Sequence, residues 1–409
     1  MGIYLNPGNV SFCKAINNDI YVDKTNLIAY TNSRIDKTDC FICVSRPRRF
    51  GKSMAADMLT AYYSKGCDSK RLFAGRNVEE EKSFSQHLNQ HNVIRLDIQK
   101  FLETERSLDN FIEEMEKAVL REIMEEFPDS KDFGEGCRLK FVLEKIFART
   151  GQGFIFIIDE WDCVFRIARE HQEYQKDYLS FLRGLFKGSP YVDLAYMTGI
   201  LPVKKYGEHS AINMFKEFSM LNPGKIAEYF GFTAPEVEML CKHYHVDFAE
   251  AQKWYDGYLI GEHHIYNPQA VVELMESGEF QSYWTGTETY EALKVYIDRN
   301  FDGLKEAIIA MLGNGHCKID PSTFQNDMTT FKAKDDVLTL LVHLGYLTYD
   351  KKNSEVFIPN QEIAMEFMRA VKMGGLGRTY AGSCTIGKSS FKHLEEGWSC
   401  SGKRDFCNP

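Results

Sequence analysis

The sequence predicts an α/β fold: a parallel sheet covered by helices on both sides, followed by a mostly helical second region. Three observations predict it. Short apolar runs at 40–45, 93–98, 154–158 and 192–198 alternate with stretches of helical periodicity. The runs are apolar on both faces, as strands covered on both sides must be, and the intervals between them are long enough to hold crossover helices. The segment 46–53, basic and containing one glycine, joins the first run to a helix-patterned stretch.

The elements follow in order. Asn6-Pro7-Gly8-Asn9 reads as a turn, and Tyr21-Val22-Asp23-Lys24-Thr25 leads into a helix over 26–32. Residues 40–45 (CFICVS) form a buried strand, and Gly51 opens a helix to about residue 64. A strand at 93–98 precedes helices at 108–127 and 141–150, the first with an acidic polar face. The strand 154–158 (FIFII) ends in Asp159-Glu160-Trp161-Asp162. A helix at 174–186, a strand at 192–198 and a fifth strand at 217–221 complete a first domain, 1–222. Helices at 235–244, 249–254, 268–276, 290–297 and 337–347, then a strand pair around 347–358, make a second domain, 223–371. Residues 372–409 lack either periodicity and read as an atypical tail, disordered or cut short.

Composition narrows the function. A formal net charge of -9 argues against a surface built to grip nucleic acid, which needs clustered Lys and Arg. No apolar run reaches about 18 residues, and residues 1–10 show no signal-peptide pattern, so a cytoplasmic protein without membrane contact is expected. The 11 cysteines form no paired framework; Cys40 and Cys43 lie on a core strand, and Cys241, His243 and His245 lack a fourth metal ligand. His263-His264 reads as a loop.

Arg46-Pro47-Arg48-Arg49-Phe50-Gly51-Lys52-Ser53 is an incomplete match to G-x-x-x-x-G-K-[ST], with Arg46 at the first glycine. The chemistry is still served. Backbone N–H groups of 48–54, from Arg48, Arg49, Phe50, Gly51, Lys52, Ser53 and Met54, would surround a β-phosphate at the positive end of a helix. Lys52 would reach the β- and γ-phosphates, and the Ser53 hydroxyl would ligate Mg²⁺. A basic turn before a helix would contain the same residue types. The second motif separates the two readings: an apolar strand delivers Asp159-Glu160 at its carboxyl end, where open α/β sheets bind ligands. Asp159 would hold Mg²⁺ and Glu160 would act as general base. Thr198, at the end of the next strand, would orient water or touch the γ-phosphate, or simply bond local backbone. Arg166, Arg169 and Arg183 are equal candidates for an arginine finger. The absence of an N-K-x-D motif favours ATP over GTP.

The chain resembles the bacterial AAA-ATPase-like family of predicted ATPases, which often carry a C-terminal PD-(D/E)XK nuclease-like domain. The resemblance rests on Tyr21-Val-Asp-Lys-Thr25, Ser45-Arg-Pro-Arg-Arg-Phe-Gly-Lys-Ser53, Ile158-Asp-Glu-Trp-Asp162 and Thr198-Gly-Ile-Leu-Pro202. Trp254-Tyr-Asp-Gly-Tyr258, Tyr266-Asn-Pro268 and Leu344-Gly-Tyr-Leu-Thr348 extend it. It implies that Arg46 is the family's own form of the loop, and that the second domain is winged-helix-like. It also implies that a nuclease-like domain would follow near residue 371; the 38 residues from 372 leave no room for one, so nuclease activity is not expected. Two functions remain: a Mg²⁺-dependent ATPase that moves its helical domain, or a nucleotide-gated switch or regulator of nucleic-acid processing that turns over little. A protein partner or self-association fits either.

Overall fold

The computed structural model describes residues 1–104, 110–129, 136–168, 171–203, 212–284, 300–324, 331 and 333–373. The helix read at 290–297, Arg169 and residues 374–409 of the tail lie outside the described residues.

Five strands, β1 (Phe41–Ser45), β2 (Asn92–Asp97), β3 (Phe154–Asp159), β4 (Val192–Gly199) and β5 (Lys216–Phe218), form one parallel sheet in the order β2-β3-β4-β1-β5. Every residue of β3 is buried, as is Ile42-Cys43-Val44 of β1, which is why these strands read as unbroken apolar runs. Cys40 and Cys43 are core residues, 4% and 0% exposed. The register aligns the carboxyl ends: Ser45 sits beside Gly199, and Asp97 beside Asp159. The strand that separates the two motifs in sequence, β2, is at the sheet edge; the strand that separates them in space is β4. Thr198 is thereby brought between the phosphate loop and the acidic pair.

Beyond β5 the described chain is mostly helical, with helices Ala234–Tyr244, Phe248–Tyr255, Pro268–Ser277, Leu304–Leu312, Lys334–Leu344 and Gln361–Met373. Local chemistry sets their starts. Thr233 and Glu236 form a reciprocal capping box, and the Asn267 side chain accepts from the N–H groups of Gln269 and Ala270 ahead of Pro268. Two small antiparallel sheets accompany them. One joins β6 (Phe232–Thr233), β7 (Tyr258–Ile260) and β8 (His263–Tyr266) in the order β6-β8-β7; the other joins β9 (Cys317–Lys318), β10 (Thr348–Asp350) and β11 (Glu355–Phe357) in the order β10-β11-β9.

Three readings are corrected. His263 and His264 are in β8, not a loop, because Gly261-Glu262 closes a two-residue hairpin whose strands are too short to show alternation. The helix read to residue 347 stops at Leu344, capped by Gly345 in the left-handed region. The tail begins later than residue 372, since the last described helix runs to Met373.

One hydrophobic core links the sheet to the last helices: Val44, Phe50 and Ile158 share a cluster with Leu341, Tyr346 and Phe367. A separate smaller cluster, including Val237, Ala251, Tyr255 and Leu274, holds 232–275 together. No helix among the described residues is long and apolar enough to cross a membrane.

A buried acid lies in this joint. Glu362 is 1% exposed, and its Oε1 accepts from Tyr283 N at 2.7 Å. Burial pushes its carboxyl up to about 7. With the folded value above the unfolded one, the folded state holds the proton longer, so this contribution to stability is complete below about pH 4.5 and lost as pH rises through about 7. Glu362→Gln keeps an acceptor and never ionises. Its stability relative to wild type is expected to improve by roughly 3 kcal/mol between the acid and alkaline ends of that window. Thermal melts of both proteins at about pH 5 and about pH 8 check this; a difference independent of pH would show that Glu362 does not titrate there.

Candidate nucleotide site

The loop leaving β1 is shaped by two left-handed residues, Arg49 (φ 69°) and Gly51 (φ 83°). Such alternation turns successive N–H groups to one side and forms an anion-binding concavity. Nothing lies within 4 Å of where a Gly51 Cβ would be, so glycine is needed there for its backbone angle and not for space. Helix Lys52–Tyr63 starts at once, adding its positive end.

Arg46 explains the missing first glycine. Its side chain is 0% exposed, and Nη1 donates to Ser45 O and Phe218 O, both at 2.8 Å. The guanidinium also lies 5.5 Å from the Phe230 ring centre. Burial pulls its pKa down to about 10, which leaves it charged at neutral pH. Arg46 therefore ties the end of β1 to the end of β5 beneath the loop. Arg49 and Phe50 also turn their side chains toward the C-terminal region: Arg49 Nη1 donates to Tyr283 O at 3.0 Å, and Phe50 packs edge-on against Tyr258 at 5.2 Å.

Lys52 is 4% exposed and its Nζ donates to Pro47 O at 3.0 Å. Burial lowers its pKa, and Glu160, Asp159 and Asp162 oppose that shift. Asp159 is 2% exposed. Burial would raise its pKa, but Arg95, hydrogen bonds from Thr198 and Ser53, and Lys52 together hold it below the usual carboxylate value. Arg95 Nη2 is 3.4 Å from Asp159 Oδ2 and 2.9 Å from Asp57 Oδ1. The Thr198 hydroxyl, fully buried, donates to Asp159 Oδ1. Ser53 and Asp159, the two residues read as metal ligands, are thus in contact. Hard oxygen donors of this kind suit Mg²⁺.

Glu160 has φ 53°, unusual for a residue with a long side chain, and its carboxylate pairs with Arg166. Burial raises its pKa, with Lys52 the strongest opposing influence. Asp162 is 0% exposed. It accepts from Ile200 N at 3.1 Å and Leu201 N at 2.9 Å, and it binds Arg166 Nε at 3.2 Å. Gly199 permits this closeness, because a Cβ there would lie 2.5 Å from Asp162 Oδ1 and 2.7 Å from the Trp161 ring. Arg183 is exposed on helix Gln172–Phe186.

A cavity of ≈ 900 Å³ opens over Gly51, Lys52, Ser53 and Glu160, with Arg48 and Met54 on its lining. Ile20, Tyr21, Val22, Tyr229, Phe232 and Val272 form an apolar wall. Lys24 holds that wall together: Nζ bonds both Glu236 carboxylate oxygens, at 2.7 and 2.6 Å, and Glu228 O at 2.7 Å. Arg95, Asp57 and Lys24 were not among the residues read as functional. The one cation inside the apolar run VIRLDI was the available signal for Arg95.

The model of the predicted AAA-ATPase family matches residues 8–207. That segment is just under half of the chain, and it is this part that is similar to the family. The matched stretch carries the phosphate loop, the acidic strand end and Thr198. A curated relative, an uncharacterized protein in the vnfD 5′ region of Azotobacter chroococcum mcd 1, is 24% identical over 282 residues, covering 66% of this chain and 51% of the relative. The chain therefore spans about half the length of that relative. Similar solved structures include the Walker-type ATPase PABY2304 of Pyrococcus abyssi, at 14% identity and TM-score 0.39, covering 84% of this chain and 94% of that one. Another is the Aeropyrum pernix ORC2 protein in ADPNP–ADP complexes, at 10% identity and TM-score 0.33, covering 88% and 98%.

Proposed function

We propose that this chain binds Mg²⁺-ATP in the cavity over the phosphate loop and hydrolyses it. The observation that carries the reading is the convergence of Lys52, Ser53, Asp159, Glu160 and Thr198 at the carboxyl ends of three neighbouring strands. The base stacks against the apolar wall at 20–22, 229, 232 and 272. The phosphates lie on the N–H groups of 48–54, and Lys52 leaves the Pro47 carbonyl for the β- and γ-oxygens. Mg²⁺, held by Ser53 and Asp159, neutralises phosphate charge when bound. Thr198 keeps the Asp159 carboxylate oriented. Glu160 takes a proton from the attacking water as its oxygen bonds the γ-phosphorus and ADP departs with the bridging oxygen.

The nucleotide state reaches the helical region, 223–371, through the back of the loop. Arg49 contacts Tyr283 and Phe50 contacts Tyr258, so a shift of 48–51 on phosphate binding is felt there directly. A switch with slow turnover remains the second reading, favoured by the contacts of Arg49 and Phe50 that tie the loop to the C-terminal region. Lys52→Ala distinguishes site from accident. Loss of a charge-assisted contact is expected to weaken ATP by roughly 10- to 100-fold in calorimetric titration, with turnover at background. Equal affinity in the variant would remove Lys52 from the site. Slow turnover by wild type, at the rate of that variant, would select the switch.

A further inference from the structure

Two cations attract Glu160: Lys52, and Arg166, which it touches. A carboxylate drawn onto Lys52 would block the ammonium that phosphate needs and would itself leave the place of the attacking water. Something must hold it away.

Arg166 is built for that task. It stands on the short helix Cys163–Ile167 with its side chain 11% exposed. One edge of the guanidinium is fixed from behind: Nε bonds Asp162 Oδ2 at 3.2 Å, and Asp162 is itself fixed by the N–H groups of Ile200 and Leu201. The other edge, through Nη2, bonds Glu160 Oε2. The planar fork spans two carboxylates at once, a geometry that the point charge of a lysine does not reproduce. Since Asp162 is anchored to backbone just past the end of β4, the chain from Ile200 through Asp162 and Arg166 sets the Glu160 carboxylate against the same strand end that carries Thr198. The left-handed backbone at Glu160 leaves its side chain dependent on this outside support.

We propose that Arg166 is a positioning residue that holds the Glu160 carboxylate away from Lys52 and in place for water, and that it does not touch the nucleotide. The proposal rests on the reading of Glu160 as the base. It differs from an arginine finger, which contacts the γ-phosphate itself.

The test is a double-mutant cycle on single-turnover ATP hydrolysis by the full chain, using Glu160→Gln, Arg166→Ala and the double variant, with Arg166→Lys beside them. Arg166→Ala is expected to slow the hydrolytic step on the order of 10- to 100-fold, the usual effect of misplacing a reacting group. In the Glu160→Gln background it is expected to add nothing, because a residue that acts only through Glu160 has no further role once Glu160 is gone. Arg166→Lys should recover part of the rate, since it keeps the charge and a partner for Asp162. A further drop of the same factor in the Glu160→Gln background would overturn the proposal and make Arg166 a finger. An unchanged or faster rate in Arg166→Ala would also overturn it. If Glu160→Gln itself hydrolyses like wild type, the base assignment fails first, which is a different result. Should Arg166→Ala unfold, shown by its melt, the cycle is run with Arg166→Lys, and the same non-additivity decides.

Discussion

Glu160→Gln is expected to lower ATP turnover by about 10²- to 10⁴-fold while ATP still binds, the range for loss of a general base. The substitution is close to isosteric and leaves Lys52, Ser53 and Asp159 in place, so affinity for Mg²⁺-ATP should change little. The amide can still accept from Arg166, which limits disturbance of Asp162 beneath it. Measured side by side, turnover and affinity should separate. Both falling together would mean that Glu160 supports the loop and not the chemistry; neither falling would mean that another group activates water.

The second large effect concerns stability. Arg46→Gly creates the standard phosphate-loop consensus and, by sequence alone, looks like a repair. The structure gives the opposite expectation. Glycine removes two charge-assisted bonds, to Ser45 O and Phe218 O, and leaves a void beneath the loop where the guanidinium lay against Phe230. Relief from burying a charge offsets part of this, because Nε and Nη2 of Arg46 have no hydrogen-bond partner among the described residues. The unfilled space and the two abandoned carbonyls outweigh it, and a loss of about 3 kcal/mol is expected in denaturant unfolding. Arg46→Met fills most of the volume and should lose clearly less. Equal losses in the two variants would mean that the bonds, not the volume, dominate. No loss in Arg46→Gly would mean that Arg46 is not a structural tie.

Much of this was legible in the residues, for identifiable reasons. Strands buried on both faces announce themselves as apolar runs, and β1, β3 and β4 were readable within a residue or two. Asp159 and Glu160 were readable because a carboxylate pair at the end of such a run is costly unless it is used. What stayed hidden depends on tertiary partners. Arg166 and Arg183 look equivalent in sequence, yet one pairs with Glu160 and the other faces solvent. The i, i+4 spacing of Asp162 and Arg166 was the one local hint. Thr198 could be placed near the site, but its bond to Asp159 follows from β4 lying between β1 and β3, an order that sequence does not reveal. Short elements such as Lys70–Phe73, Phe84–His87 and the hairpin of β7 and β8 are too brief to show a period. The contacts of Arg49 and Phe50 with residues over 200 positions away have no sequence signature at all.

These contacts give the loop two faces. Residues 48–54 line the cavity, while the side chains of Arg46, Arg49 and Phe50 also reach the core and the C-terminal region. On the proposed reading, a nucleotide that orders the first face would act on the second through these contacts.

The most direct measurement is a crystal structure of the full chain with a non-hydrolysable ATP analogue and Mg²⁺. The expected result has the β-phosphate on the N–H groups that lead into helix Lys52–Tyr63 and Mg²⁺ between Ser53 and Asp159. Lys52 would be released from Pro47 O, and the base would rest against Tyr21, Tyr229 and Phe232. A nucleotide bound elsewhere, or bound there with Lys52 still on Pro47 O and no metal at Asp159, would contradict the account.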